Sequence, residues 1–247
     1  MRDFEGSTLW QISEYERMRE GGAGVAFQGD GPSLLPTTLL TDLRQLQADP
    51  TANDVLEVMA ACLRNREAAL LYLEYGGLVW PLTLFPRQLL YYSPCDASQL
   101  SATAGLSTLR LLSAEPPDVR PPGDAQHERI AGPERYRPLG PLLWQVALEG
   151  PRRTLLKEIG GHAAYRLAPC LGEKRPAPPG ALGPAVLRLR EGAASLRDMA
   201  HWPGLSVERA SRLLNALYLT DALMVTRSHP MARGEPLYWR GLLNRHR

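Results

Sequence analysis

The sequence has little cysteine and no paired cysteine motif. Its three cysteines, Cys62, Cys95 and Cys170, lie far apart along the chain. An odd number of thiols without a Cys-x-x-Cys pair indicates neither a disulfide framework nor a zinc site. We therefore interpret all three as buried thiols and expect no bound metal.

Long apolar runs are missing as well. No stretch approaches the roughly 20 apolar residues that cross a bilayer, and the opening residues MRDFEGSTLW lack the continuous apolar core of a signal peptide. Hydrophobic residues make up 44% of the 247 residues and charged residues 22%, an ordinary globular usage that excludes a disordered or fibrous chain. We expect a cytoplasmic protein of one or two domains with no membrane insertion.

Recognisable catalytic motifs are absent too. The five histidines are scattered, and none lies in a His-Glu-x-x-His motif or beside a known nucleophile signature. The glycine-rich residues 21–24 lack the Gly-Lys-Ser/Thr ending of a phosphate loop, so a flexible turn is the favoured interpretation. We predict no catalytic residues and no cofactor. An enzyme built from residues remote in sequence is the least favoured alternative.

Charge is unevenly distributed along the chain. From residue 181 onward there are ten Arg against five Asp or Glu, a local formal charge of +5, whereas the first 180 residues have 18 basic against 21 acidic residues, or −3. A module that binds a polyanion shows this asymmetry, and so does a solvated basic face. Lysine is scarce relative to arginine, and alanine, leucine, proline and glycine are common. This composition suggests a GC-rich bacterial genome.

Residues 182–240 have the pattern of a winged helix-turn-helix. An amphipathic stretch over residues 185–191 predicts a first helix. Ser195 stands three residues ahead of Asp198, which is the spacing of a capping box, and predicts a second helix over residues 196–202. The Pro-Gly pair that follows is expected to end this helix.

A third helix and a wing complete this pattern. Ser206 is predicted to cap a helix over residues 207–222, which places four apolar side chains on one face: Ala210, Leu213, Leu214 and Leu217. The β-prone runs 223–228 and 236–240 are separated by a turn that contains proline and glycine, and they predict two wing strands.

The N-terminal half predicts a helix followed by a small antiparallel sheet. Asn53 or Asp54 is expected to cap a helix over residues 55–65. The strand-like runs behind it cover residues 69–75, 79–85 and 88–92. Their aromatic side chains fit either a ligand-facing stripe or, more often, sheet packing: Tyr72, Tyr75, Trp80, Phe85, Tyr91 and Tyr92. Further helices are predicted over residues 9–19, 39–47, 139–149 and 152–159, and a strand over 25–28.

Two proline-rich segments divide the predicted chain. Residues 115–123 (EPPDVRPPG) contain four prolines and are the best candidate for a domain boundary, and residues 175–184 form a second hinge. The predicted class is α+β. We assign residues 1–114 to an N-terminal helix-and-sheet module, 115–135 to a linker, and 136–247 to a helical region that ends in the winged helix.

Three segments together resemble the bacterial PATAN family. They are DVLEVMAACLRNREAALLYLEYGG, LTLFPRQLLYY and SLRDMAHWPGLSVERASRLLNALYLTDALMV. The chain departs from the family pattern at Gln88, where a turn glycine is usual, and at Ala68 and Ala69, which replace a small glycine. The resemblance implies a non-enzymatic regulatory or scaffolding role, near response regulators, small GTPase polarity modules or type IV pilus control.

Two functions follow as hypotheses. The first is a regulatory adaptor that acts through protein contacts, with interface residues on an exposed face of the third helix: Glu208, Asn215 and Leu219. The second is a DNA-binding transcription regulator whose phosphate or base contacts come from the third helix and the wing: Arg209, Arg212, Arg227 and Arg233. Either is compatible with a homodimer, and the fold alone does not choose between them.

Overall fold

The computed structural model describes residues 10–20, 35–47, 54–94, 105–125, 130–169 and 178–232. The chain divides into two compact units, Met1–Arg152 and Arg153–Arg247. Each unit combines α-helices with an antiparallel sheet, so the predicted α+β class is confirmed. Among the helices of the described residues, none has the length and apolar character needed to cross a membrane.

The first unit is built around one sheet and the helix before it. Its strands are β1 (Trp10–Gln11), β2 (Ala69–Tyr75), β3 (Leu78–Phe85), β4 (Leu90–Tyr92), β5 (Arg110–Glu115) and β6 (Tyr136–Pro138). Its helices are α1 (Ile12–Glu20), α2 (Thr37–Gln47), α3 (Val55–Asn65) and α4 (Leu139–Glu149). The strand order is β5-β2-β3-β4-β6, and β1 pairs with β3. Gly76 and Gly77 form the tight β2–β3 turn with φ of 55° and 83°, values that glycine adopts without strain.

Helix α3 begins at Val55, directly after its predicted capping residue. The Asp54 carboxylate accepts hydrogen bonds from the backbone N–H groups of Leu56 and Glu57, at 3.0 and 3.4 Å. These bonds satisfy donors that the first helical turn leaves unpaired. Asp54, rather than Asn53, is therefore the cap, and the predicted range of the helix is confirmed.

The aromatic side chains of the sheet lie on both of its faces and are buried. Tyr72, Phe85 and Tyr92 belong to one face, where they pack with other aromatic and aliphatic side chains. The strand register places Trp80 opposite Leu73 and Tyr91 opposite Leu84, which puts them on the other face. Because both sets are almost fully buried, the sheet-packing interpretation is confirmed.

The described part of the proline-rich segment, residues 115–125 and 130–135, belongs to the first unit, so the predicted linker is not confirmed. Val119, Ile130 and Ala131 pack against the sheet at Phe85, Tyr92 and Tyr136. The hydroxyl of Tyr136 accepts a hydrogen bond from the N–H of Ala131 (3.0 Å) and donates to the carbonyl of Arg120. Apolar side chains between the prolines thus hold the segment on the sheet, and the division into units falls after Arg152.

Arg152 closes the first unit through a largely buried ion cluster. Its guanidinium pairs with the carboxylates of Asp54 and Glu57, the latter at 2.8 Å. Because the guanidinium and the carboxylates are buried together, no buried charge is left without an opposite charge beside it. The helix predicted over residues 152–159 does not form, because the backbone groups of Thr154 and Leu156 bond to the side chain of Asn215 in another element.

The second unit places three helices against a three-stranded sheet. Its elements are β7 (Ala164–Leu167), α5 (Leu182–Glu191), β8 (Ala194–Ser195), α6 (Leu196–Ala200), α7 (Val207–Leu219) and β9 (Leu223–Thr226), and the strand order is β8-β7-β9. The capping box of Ser195 and Asp198 forms, and the Ser206 hydroxyl accepts from the N–H of Arg209 at 3.2 Å. Both predicted caps are confirmed.

The core and the sheet of the second unit differ in how well they were predicted. The four apolar residues assigned to one face of α7 are fully buried, as expected: Ala210, Leu213, Leu214 and Leu217. Strand β9 forms, but its described partner is β7, an unpredicted strand that precedes the helices. The predicted strands over residues 25–28 and 236–240 lie outside the described residues.

Tyr136→Phe is expected to lower the free energy of unfolding by about 1–3 kcal/mol, because it removes a partner from two part-buried backbone groups. Burial raises the pKa of this hydroxyl, so it stays protonated and able to donate at neutral pH. Urea denaturation measures the change. The control is Tyr91→Phe, which removes another hydroxyl from a buried sheet tyrosine. Equal stability of the two variants would show that the hydroxyl does not hold the segment.

Candidate interaction surface

Helix α7 is the helix predicted to contact DNA or a partner, and it is exposed mainly at its first turn. Val207 is 57% exposed, and Arg209 is also exposed. From residue 210 to 219 every side chain is buried or half-buried. The helix therefore presents its beginning to solvent, and most of its length is covered.

Residues 153–160 pack over α7, and we name them the cover segment. Asn215, in the middle of α7, is 0% exposed. Its side-chain amide donates to the carbonyl of Thr154 at 2.9 Å and accepts from the N–H of Leu156 at 2.9 Å. One amide side chain thus pairs with a donor and an acceptor of the cover segment, as a neighbouring strand would.

Further contacts fix the cover segment at its other end. Tyr218 of α7 donates to the carboxylate of Glu158. Arg227, which follows β9, donates to the carbonyls of Glu158 and Gly160 at 2.9 and 3.0 Å. Leu156 and Ile159 are buried, and the hydroxyl of Tyr165 donates to the Ile159 carbonyl at 2.6 Å. Polar and apolar contacts together make the segment an integral layer of the second unit.

The candidate nucleic-acid residues are mostly engaged within the fold. Arg212 has a side chain that is only 15% exposed, and its Nε donates to Glu208 at 3.1 Å. Arg227 binds the cover segment, as described. Arg209 is exposed, and one of its guanidinium nitrogens donates to the carbonyl of Gly204 at 2.7 Å. Arg233 lies outside the described residues. Arg209 and Arg227 are both exposed, and Arg209 is the one of the two that lies on α7.

Two of the three candidate protein-contact residues are not on the surface. Asn215 and Leu219 were predicted to be exposed, but they are 0% and 7% exposed. Helical periodicity separates the faces of α7 correctly, but the cover segment and the rest of the unit bury the face that was assigned to solvent. Glu208 does reach the surface, where it pairs with Arg212 and lies 3.8 Å from the Nε of Arg153.

A group of side chains around the α6–α7 turn was missed in the sequence. The guanidinium carbon of Arg188, on α5, lies 5.4 Å from the ring centroid of Trp202. Arg209 reaches the same turn from α7 through the Gly204 carbonyl. The two arginines are distant in sequence and meet only through packing of the helices. The Trp-Pro-Gly sequence of the turn was the one local signal, because a half-exposed tryptophan beside a tight turn is common at interfaces.

The other described residues include few reactive or metal-binding groups. Burial raises the pKa of the Cys62 thiol to about 12, so this cysteine is protonated at neutral pH and is a buried thiol as predicted. Cys95 and Cys170 lie outside the described residues. Within the described ranges no group of three or more His, Cys, Asp or Glu side chains is arranged to hold a metal ion.

Asn215→Leu is expected to destabilise the second unit by about 2–4 kcal/mol, because it leaves a buried N–H and a buried C=O of the cover segment unpaired. Thermal and urea unfolding measure the loss. Asn65→Leu is the control, since its amide bonds to Asp42 and to the Ala61 carbonyl in a part-buried position and should cost less. A variant Asn215→Leu that is as stable as wild type would mean that the cover segment is not held by this side chain.

Comparison with known proteins supplies no relative from which to assign this surface. No family model, no curated protein and no solved structure matches the chain. The resemblance to the PATAN family therefore stays a prediction, and the function is inferred from the surface of the second unit.

Proposed function

We propose that the protein is a non-enzymatic bacterial regulatory adaptor that acts through protein contacts of its second unit. The observation that supports this most is the cover segment on α7. Helices α5, α6 and α7 followed by strand β9 have the order of a winged helix, a fold that serves DNA binding in some proteins and protein docking in others. The choice between these roles rests on which side chains of α7 reach solvent.

Base-specific DNA binding by such a unit needs an open helix face. A recognition helix enters the major groove and sends several side chains to base edges. On α7, Asn215 is used by the cover segment and Leu219 is buried, so neither is available to a base. Arg212 is mostly buried and paired with Glu208. The first turn of α7 remains, where Arg209 is the exposed basic side chain beside Val207 and Glu208. This is fewer than the several base contacts that a recognition helix makes, and it suits a protein contact better.

The exposed first turn has the composition of a protein contact. Val207 places an apolar side chain on the surface beside Arg209, and Glu208 lies between them. An apolar anchor surrounded by charged groups is the usual pattern of an interface centre and its rim. The PATAN resemblance supports the same role, since it implies a regulatory or scaffolding protein in a signalling pathway.

A DNA-binding regulator is the second candidate, and charge favours it. The second unit has 15 Arg and Lys against 7 Asp and Glu, a formal charge of +8, whereas the first unit has 13 against 19, or −6. A basic unit of this kind attracts polyanions at long range. With α7 covered, the available contacts are to phosphates, which give affinity without sequence preference.

Two titrations and one capture experiment test the proposal. Binding of random duplex DNA, measured at two salt concentrations, is expected to be weak, to fall steeply as salt rises, and to show no preferred site after selection. Nanomolar, site-selective binding would contradict the adaptor role and favour the second candidate.

Capture of a partner from a lysate of the source organism is expected to fail with Val207→Glu. Glutamate at the first position of a helix is favourable for the helix, so the unit should stay folded. Leu187→Glu is the matched control, because Leu187 is 58% exposed on α5, nearly the same as Val207. Retention of the partner by Val207→Glu and its loss with Leu187→Glu would place the contact away from α7.

A further inference from the structure

The turn between α6 and α7 carries a group of exposed basic side chains around one tryptophan. We name this group the turn patch; its members are Arg188, Trp202 and Arg209. We infer that the turn patch binds an acidic segment of a partner protein, one that carries carboxylates on either side of an apolar side chain. This inference rests on the proposed adaptor function and specifies the chemistry of the partner.

The turn holds Trp202 in a fixed position. The backbone N–H of Trp202 donates to the Met199 carbonyl at 3.0 Å, and the backbone carbonyl of Trp202 accepts from the N–H of Leu205 at 3.0 Å. Gly204 has a φ of 74°, and a Cβ added there would lie 2.7 Å from the Cβ of Ala181. The turn is therefore packed closely against the start of α5, and its backbone is fixed.

Two arginines from different helices reach this turn. Arg188 lies over the ring of Trp202, in the geometry of a cation–π contact. Arg209 is anchored to the turn by one nitrogen and keeps other N–H donors for a ligand. Both arginine side chains are exposed.

The carboxylates on α6 and α7 are bound to other groups. Asp198 bonds to the hydroxyl of Ser195 at 2.6 Å and to its N–H at 3.0 Å. Glu208 pairs with Arg212. The positive charge of the turn patch is therefore not cancelled by these two acids, and the surface is complementary to a carboxylate. Arginine binds carboxylates with two parallel hydrogen bonds, which gives such a contact a defined geometry.

An acidic protein segment fits this patch better than duplex DNA. Tryptophan and arginine are the residues most enriched among interface positions that dominate binding energy. Val207 is 57% exposed and directly precedes Glu208 and Arg209, which adds an apolar contact that a phosphate backbone does not use. The closed face of α7 removes the groove insertion that would otherwise bring DNA to this turn.

The test measures anisotropy of a labelled peptide that alternates glutamate with leucine, added to the full chain. A peptide with glutamine in place of glutamate is the ligand control. The double variant Arg188→Glu, Arg209→Glu is expected to weaken binding of the acidic peptide at least about tenfold, which corresponds to about 1.4 kcal/mol. The matched variant Arg166→Glu, Arg190→Glu changes the same charge at exposed positions on β7 and α5 and should bind within about twofold of wild type.

Several results would overturn the inference. Equal loss in the two double variants would mean that net charge, and not the turn patch, attracts the peptide. No binding of the acidic peptide by wild type, or preference for random duplex DNA that the Arg188 and Arg209 substitutions abolish, would also contradict it. If the partner captured by wild type still binds the Arg188→Glu, Arg209→Glu variant, the inference fails while the adaptor function stands. If wild type captures no partner, the adaptor function fails, and the peptide titration alone then decides whether the turn patch binds an acidic segment.

Discussion

The second unit depends on one buried amide side chain. Asn215 lies among leucines in the interior of α7, where an unpaired polar group would cost several kcal/mol. It is satisfied because the carbonyl of Thr154 and the N–H of Leu156 meet it at 2.9 Å each. This pairing helps to explain why the cover segment is not a helix, since the Thr154 carbonyl and the Leu156 N–H bond to Asn215 of α7. It also explains why α7 offers its partners one turn and no open face.

Charge and shape then act on different parts of the second unit. Its formal charge of +8 attracts anionic partners at a distance, and the exposed turns decide which partner can make close contact. The exposed first turn of α7 combines Val207 with Arg209, and the adjoining turn holds Trp202 under Arg188. The carboxylate-bearing protein segment that we propose as the partner would combine ion pairs with apolar burial on this surface.

Features encoded by neighbouring residues could be read from the sequence. Asp54, Ser195 and Ser206 cap the helices that they were expected to cap, because a cap needs only its own side chain and the next three N–H groups. The strand β2 and the leucine face of α7 follow directly from apolar spacing. The α+β class follows from these local signals as well.

Features that depend on distant contacts could not be read in this way. Residues 115–125 and 130–135 include the prolines of a predicted linker, but Tyr136 and the sheet hold them in place. Likewise the apolar spacing of 152–159 matches a helix, and only the presence of Asn215 in another element shows that it is a cover. For the site, periodicity correctly grouped the residues of α7, yet it could not reveal that Asn215 and Leu219 are buried.

Hydrogen exchange of the Leu156 amide tests the closure of α7 most directly. This amide lies in a segment without regular secondary structure, and its described acceptor is the side-chain oxygen of Asn215. We predict that NMR will show it exchanging as slowly as the amides in the buried part of α7, and that Asn215→Leu will remove this protection. Fast exchange of Leu156 in the wild-type protein, with the amides of α7 still protected, would show that the helix face is open and would contradict the structural basis of the adaptor role.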